Sequence, residues 1–123
     1  MAIAVKSSGV ASPFSVRGVE ITDLENSGLS DFLSGSTTVY TLDLDNSANS
    51  AITYFKLYDN ASPTYGTTDP VVMIEVKANT RQVWSVAQGL NLTNGLSMMA
   101  CTVDGAASGS SPSSAFNLSL VVS

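Results

Sequence analysis

Apolar and polar side chains alternate along most of the chain, and this period of two restricts the possible folds more than any other feature. In residues 114–122, Phe116, Leu118, Leu120 and Val122 all fall on one side. Successive side chains of a strand leave opposite faces, so the alternation predicts a strand with one buried face. The same pattern recurs in 37–45, 51–58 and 71–77. Further strands fit 80–87 and 96–103, and weaker candidates lie at 2–5 and 16–22.

Turn-forming residues separate these runs. Asp69-Pro70, Asn94-Gly95 and Asp104-Gly105 are examples of pairs that favour tight turns. No segment has a convincing series of apolar residues at helical spacing. The best candidate is a short turn of helix in residues 22–33, which Ser27-Gly28 interrupts. The pattern therefore predicts an all-β fold, a two-sheet antiparallel β-sandwich of jelly-roll or Ig-like type with seven or eight strands.

A chain of 123 residues fits one domain. Residues 1–15 are small and apolar, with Pro13 interrupting any long strand, and we expect them to form an N-terminal arm. The arm is either mobile or ordered by binding to a neighbour. Residues 16–123 then form the β-sandwich domain. Within this domain the composition of residues 104–114 predicts a flexible loop.

The charge of the chain is sparse and acidic, with ten carboxylates, five basic residues and a net charge of −5. The five basic residues are scattered, whereas binding to phosphates or to an anionic membrane requires clustered Lys and Arg, so both partners are disfavoured. The chain has no apolar run of the length that a signal peptide or a membrane span needs. We therefore expect synthesis in a cytoplasm.

Residues suited to catalysis are scarce. Histidine is absent, and Cys101 is the single cysteine, which excludes His-based triads and zinc sites built from Cys and His. Asp43 and Asp45 share a strand face, but calcium usually takes 6–8 oxygen ligands, which favours an ordinary solvated face. Asp23 and Glu25 as a glycosidase pair lack an aromatic sugar platform. The sequence predicts no enzyme activity, no catalytic residues, no cofactor and no metal.

Association with another protein surface is predicted by a segment that is apolar on both faces. In residues 96–103 the faces of Met98 and Met99 are both apolar, so an arm, a loop or another subunit must cover the second face. Residues 71–77 begin in the same way. Trp84 has two possible roles, core packing or an interface anchor. The candidate interface residues are Ile3, Val5, Val10, Phe14, Val71, Met73, Trp84 and Met99.

A resemblance to a known family is found in residues 52–103, with a similar final strand. The residues that support it are Lys56-Leu-Tyr-Asp59, Pro63-Thr-Tyr-Gly66-Thr67, Pro70-Val71, Asn94-Gly95-Leu96 and the strand FNLSLVV. This pattern resembles small β-sandwich virion proteins of tailed bacteriophages, of the capsid decoration or cement type. The match covers strands and turns rather than a site, and no catalytic residue is transferred by it.

The resemblance implies a protein made in the host cytoplasm and placed on the capsid surface of the virion. Its expected partners are the major capsid protein and itself, as a homodimer or homotrimer. The alternative is a receptor- or glycan-binding module of a phage fibre or tail. Joint exposure of Tyr54, Tyr58 and Tyr65 would favour the glycan module, whereas a buried tyrosine cluster together with an extended N-terminal arm would favour the decoration protein.

Overall fold

The computed structural model describes residues 2–7 and 16–123 of the chain, which form eight strands in two antiparallel sheets. A five-stranded sheet has the order β1-β2-β8-β3-β6, and a three-stranded sheet has the order β5-β4-β7. The strands are β1 (Ala2–Ser7), β2 (Arg17–Thr22), β3 (Thr37–Asp45), β4 (Thr53–Asp59), β5 (Val72–Val76), β6 (Arg81–Leu92), β7 (Leu96–Cys101) and β8 (Asn117–Val122). The all-β sandwich prediction is confirmed.

The strand pairs are nested around the connection between β4 and β5. β4 pairs with β5, β3 pairs with β6, an isolated bridge joins Leu29 to Met98 of β7, and β2 pairs with β8. The chain is thus one long antiparallel hairpin rolled into two layers, which is the jelly-roll arrangement. Of the two sandwich types that the sequence left open, the strand order selects the jelly roll.

The alternating apolar residues fill the space between the sheets. Phe55 and Leu57 of β4 meet Leu118 and Leu120 of β8 in one continuous buried cluster. The ring centroids of Phe55 and Phe116 lie 6.4 Å apart in a stacked arrangement. Because directly opposed residues of antiparallel strands point to the same face, the period of two places these side chains together in the core.

The five-stranded sheet is wider than the three-stranded sheet that packs on it. At its two edges, β1 and β6, the core-side residues Ile3 and Trp84 remain exposed. β6 also bulges, because Val39 pairs with Leu90 while Thr41 pairs with Ser85, which leaves residues 86–89 opposite Tyr40 alone. Such a bulge ends the regular ladder of β6 after Ser85.

The structure differs from three of the expectations drawn from the sequence. Residues 22–33 form the end of β2 and then a series of turns, with left-handed backbone at Asp23 and Asp31, and no helix occurs in residues 2–7 or 16–123. The strand predicted at 80–87 continues to Leu92 beyond its bulge. Residues 2–7 of the predicted arm form β1, paired with β2 along their whole length, and residues 8–15 lie outside the described part of the chain.

Candidate protein interface

Trp84 lies on β6 at one edge of the five-stranded sheet. It is directly opposite the buried Leu42 of β3, so its side chain leaves the sheet on the core side. It is nevertheless 48% exposed, and β6 is the edge strand of its sheet. Of the two roles predicted for Trp84, the exposed position is the one that an interface anchor requires.

Ile3 has the equivalent position at the opposite edge. It pairs with the buried Ile21 of β2, faces the core side and remains 42% exposed. Val5 has the same register relation to Val19, although its side chain is outside the described set. Val10 and Phe14 lie outside the described residues altogether. The fold therefore separates Ile3 from Trp84 by the full width of the sheet.

Val71 and Met73 lie together at the edge of the three-stranded sheet. Val71 donates its backbone N–H to the carbonyl of Leu57 at 2.8 Å, and Met73 follows on β5 opposite Lys56. Both side chains are exposed on the outer face of this sheet. They form a second apolar patch, on a different sheet from Trp84.

Met99 is buried within its own chain, which corrects its assignment as an interface residue. It belongs with Tyr58 and Cys101 to a small cluster on the outer face of the three-stranded sheet. Residues 102–116, here called the covering loop, lie over this face. The sequence required an arm, a loop or a subunit to cover the second face of β7, and the loop does so. For this reason Met99 presents no surface to a partner.

Hydrogen bonds attach the covering loop to the sheet beneath it and to the connection between β2 and β3. Lys56 is fully buried and donates from Nζ to the carbonyl of Ala107 at 2.7 Å. The thiol of Cys101 donates to the carbonyl of Val103 at 3.1 Å. Asn26 donates from Nδ2 to the carbonyl of Gly109 at 3.2 Å. The loop that composition predicted to be flexible is therefore attached at several points to the layer below.

The tyrosines do not form an exposed platform. Tyr58 is fully buried, and Tyr54 and Tyr65 are half-buried against its cluster. The rings of Tyr58 and Tyr65 meet edge to face with centroids 5.3 Å apart, and the hydroxyl of Tyr65 shares a 2.9 Å hydrogen bond with Ser30 Oγ. Stacking of a sugar requires an open aromatic face, and this arrangement turns the rings toward the protein.

A polar groove lies on the outer face of the five-stranded sheet. Its volume is about 170 Å³, and Asp43, Asp45 and Arg81 are among its lining residues. Arg81 donates from Nε and Nη2 to the two carboxylate oxygens of Asp43, each at 2.7 Å. These hydrogen bonds lower the pKa of Asp43, and the hydrogen bonds from Ser47 lower that of Asp45. Among residues 2–7 and 16–123, no group of three acidic, Cys or His residues is arranged to hold a metal ion.

Two exposed apolar residues of β6 were missed by the sequence analysis. Val83 is 60% exposed and points to the outer face, opposite Asp43, while Val86 is exposed in the bulge. The adjacent pair Val83-Trp84 makes β6 apolar on both faces, which is the signal that was recognised in residues 96–103. In β7 that signal marks a buried strand, whereas in β6 it marks an exposed edge.

Three of the motifs that support the phage resemblance meet at one corner of the sandwich. The end of the Lys56–Asp59 motif contacts the Asn94-Gly95 turn, because Asp59 accepts the Asn94 N–H at 2.8 Å and Asn60 donates to the Gly95 carbonyl at 3.0 Å. Tyr65, from the Pro63–Thr67 motif, packs on the same corner through Tyr58. These three motifs shape this corner of the fold, whereas the final strand lines the polar groove through Asn117, Leu118 and Ser119.

Comparison with known proteins gives no further assignment. No protein-family profile, no curated protein and no solved structure matches this chain. In the part of the chain that the structure describes, no helix has the length and apolar character needed to cross a membrane.

Proposed function

We propose that this protein is a structural component of a tailed-phage virion, a decoration or cement protein that binds the major capsid protein and stabilises the capsid shell. The observation that supports this most directly is apolar surface left open on the sandwich, at Trp84 and Val83 on one sheet and at Val71 and Met73 on the other. Clusters of exposed apolar side chains are typical of protein-binding surfaces.

Two further features support the proposal. The jelly roll is an architecture that viral capsid domains use, although lectins and cupins use it too, so the fold by itself does not decide. The resemblance of residues 52–103 and of the final strand to phage virion proteins favours the capsid over the other uses. Two separate apolar patches also suit a protein that bridges neighbouring subunits.

The alternative, a glycan- or receptor-binding module, lacks a supporting observation. Its expected platform was Tyr54, Tyr58 and Tyr65, and Tyr58 is buried while the other two are half-buried. An enzyme is a more distant alternative, because the chain has no histidine and its buried Cys101 is held by a backbone carbonyl.

Purification of assembled particles tests the proposed function. We expect the protein to remain with density-gradient-purified virions in a fixed molar ratio to the major capsid protein. Particles produced without the gene should rebind the purified protein to the same ratio, and they should lose their contents at a lower temperature than complete particles. Free protein in the gradient, together with binding to a glycan, would contradict the capsid role.

A further inference from the structure

The edge strands of the sandwich differ in how well they are protected from pairing with another strand. The β7 edge of the three-stranded sheet is covered, because Met98 and Leu29 exchange two backbone hydrogen bonds of 2.8 and 2.9 Å and Ala100 donates to the Glu25 carbonyl. β5, at the other edge, is short, follows Pro70 and carries the exposed Glu75. Shortness, proline and charge are devices that prevent an edge from pairing.

The β6 edge of the five-stranded sheet is longer and contains no proline, and its one charged residue, Arg81, is paired with Asp43 of its own chain. In the described part of the chain, β3 is the one strand that pairs with β6, and no backbone hydrogen bond from a loop covers its other side. The ladder with β3 is regular from Arg81 to Ser85. This edge therefore presents extended, unpaired N–H and C=O groups flanked by the exposed side chains of Val83 and Trp84.

We infer that the open edge of β6 pairs with the same edge of a second copy of this chain, in antiparallel orientation about a two-fold axis. Antiparallel pairing of a strand with itself is self-complementary, as an isologous interface requires. A regular segment of five residues centred on Val83 sets the register. Val83 then lies opposite Val83 of the second copy, Gln82 opposite Trp84, and Arg81 opposite Ser85.

Charge favours a second copy at this edge over most other places on the surface. The chain has a net charge of −5, so two copies generally repel. From Gln82 to Leu92, however, β6 contains no charged residue, and Arg81 is already paired with Asp43 of its own chain. The proposed register therefore brings no two like charges opposite each other, which cross-strand pairing requires.

The pairing also covers the exposed edge of the five-stranded sheet. It joins two such sheets into one of ten strands and gives Trp84 a neighbour, Gln82 of the second copy, on the core side. Two-fold pairing predicts a dimer and excludes a trimer built through this edge. The inference rests on the β6 edge and is independent of the virion role.

Disulfide trapping tests the register in the free, full-length protein. In a Cys101→Ser background, Val83→Cys should form a cross-linked dimer under mild oxidation, because directly opposed residues have Cβ atoms about 5 Å apart. Val121→Cys is the matched control, since Val121 is exposed on the same face of the same sheet. It lies two strands inward, so its two copies would be about 24 Å apart at ~4.8 Å per strand. We expect cross-linking of the Val83 variant at least tenfold faster.

Sedimentation of the uncross-linked protein provides a second readout. We expect twice the monomer mass at micromolar concentration, and a monomer for Val83→Lys, which places two like charges opposite each other at the axis. Emission from the single tryptophan, Trp84, should shift to the blue as the dimer forms. A wild-type monomer at all concentrations, equal cross-linking of both variants, or a dimer that Val83→Lys leaves intact would overturn the inference. An edge that instead captures an extended segment of the capsid protein would give the first of these results.

Discussion

At the scale of single residues, the covering loop encloses two polar side chains that differ in how their polar atoms are satisfied. Both Lys56 and Tyr58 are fully buried. The amine of Lys56 has the Ala107 carbonyl as its acceptor, whereas the Tyr58 hydroxyl has no hydrogen-bond partner among the described residues. A buried polar group without a partner lowers stability, so removal of the Tyr58 hydroxyl should not destabilise the protein.

Tyr58→Phe should leave the protein equally stable or stabilise it by about 1 kcal/mol, because it removes an unsatisfied buried hydroxyl and keeps the ring. Tyr65→Phe is the control, since its hydroxyl bonds Ser30, and it should cost about 0.5–1.5 kcal/mol. Urea unfolding of both variants measures the difference. If Tyr58→Phe proves the more costly of the two, the hydroxyl must have a partner in solution.

Alkaline pH should destabilise the protein through the same residue. Burial is the main cause that raises the pKa of Tyr58 to about 12, above the value near 10 of an exposed tyrosine. Between these two values the unfolded chain loses the phenolic proton and the folded chain keeps it. Stability is therefore complete below pH 10 and declines as pH rises from about 10 toward 12.

The decline should be shallower in Tyr58→Phe. It should not vanish, because burial also raises the pKa values of Tyr54 and Tyr65. Urea midpoints measured at intervals from pH 9 to pH 12 give this comparison. Parallel pH profiles of variant and wild type would show that Tyr58 ionises without penalty in the folded state.

Lys56→Met should change the free energy of unfolding by less than about 1 kcal/mol, because it preserves most of the packing and removes a buried amine. Lys56→Ala should cost about 2–4 kcal/mol, since it leaves a cavity beneath the covering loop. Both variants lose the bond to Ala107, so we expect faster proteolysis within residues 102–116 in each. Equal losses of stability for Met and Ala would indicate that the hydrogen bond outweighs the packing.

At the scale of elements, one asparagine joins two turns, β3–β4 and β5–β6, that each connect one sheet to the other. Asn46 follows β3 and is buried. Its Nδ2 donates to the carbonyls of Ala51, Val76 and Lys77 at 3.0–3.1 Å. Its Oδ1 accepts hydrogen bonds from Asn49 and Thr53. The β3–β4 turn is thereby fixed to the end of β5.

Replacement of Asn46 should be the most damaging polar substitution in the protein. Asn46→Ala leaves several buried groups unpaired, and we expect a cost of about 3–5 kcal/mol. Asn46→Asp, which keeps the shape but removes the donors, should be similarly unstable at neutral pH. Ser47→Ala, at the exposed neighbouring position, serves as the control and should change stability by less than about 0.5 kcal/mol. Thermal unfolding checks all three.

The strands themselves were predictable from the sequence, because a period of two directly encodes which face is buried. The segment 37–45 was located to the residue, and the two-sided apolar pattern of 96–103 correctly implied cover on both faces. The identity of the cover was not encoded locally, since it depends on residues 102–116 folding back. The exposure of Val83 and Trp84 could not be predicted either, because the same apolar sequence pattern occurs in a central strand and in an open edge strand.

At the scale of the whole molecule, the unequal width of the two sheets determines which apolar residues form the core. Five strands face three, so an inward-pointing side chain is buried in β3 and exposed in β6. The number of strands in each sheet is a property of the complete topology, which no segment of the sequence contains. For this reason only part of the candidate interface could be predicted, and Met99, which is buried, was predicted to be an interface residue.

The difference in exposure between β3 and β6 leads to a prediction for two residues that lie opposite each other on these strands. Leu42→Ala should cost about 2–4 kcal/mol, because Leu42 is buried between the sheets. Trp84→Gln should change the stability of the isolated chain by less than about 1 kcal/mol, since its side chain is exposed. Urea unfolding at a concentration that keeps Val83→Lys monomeric, with this substitution as the common background, separates folding from association. A large loss from Trp84→Gln in that background would mean that the sandwich closes over β6, and the open edge on which the dimer depends would not exist.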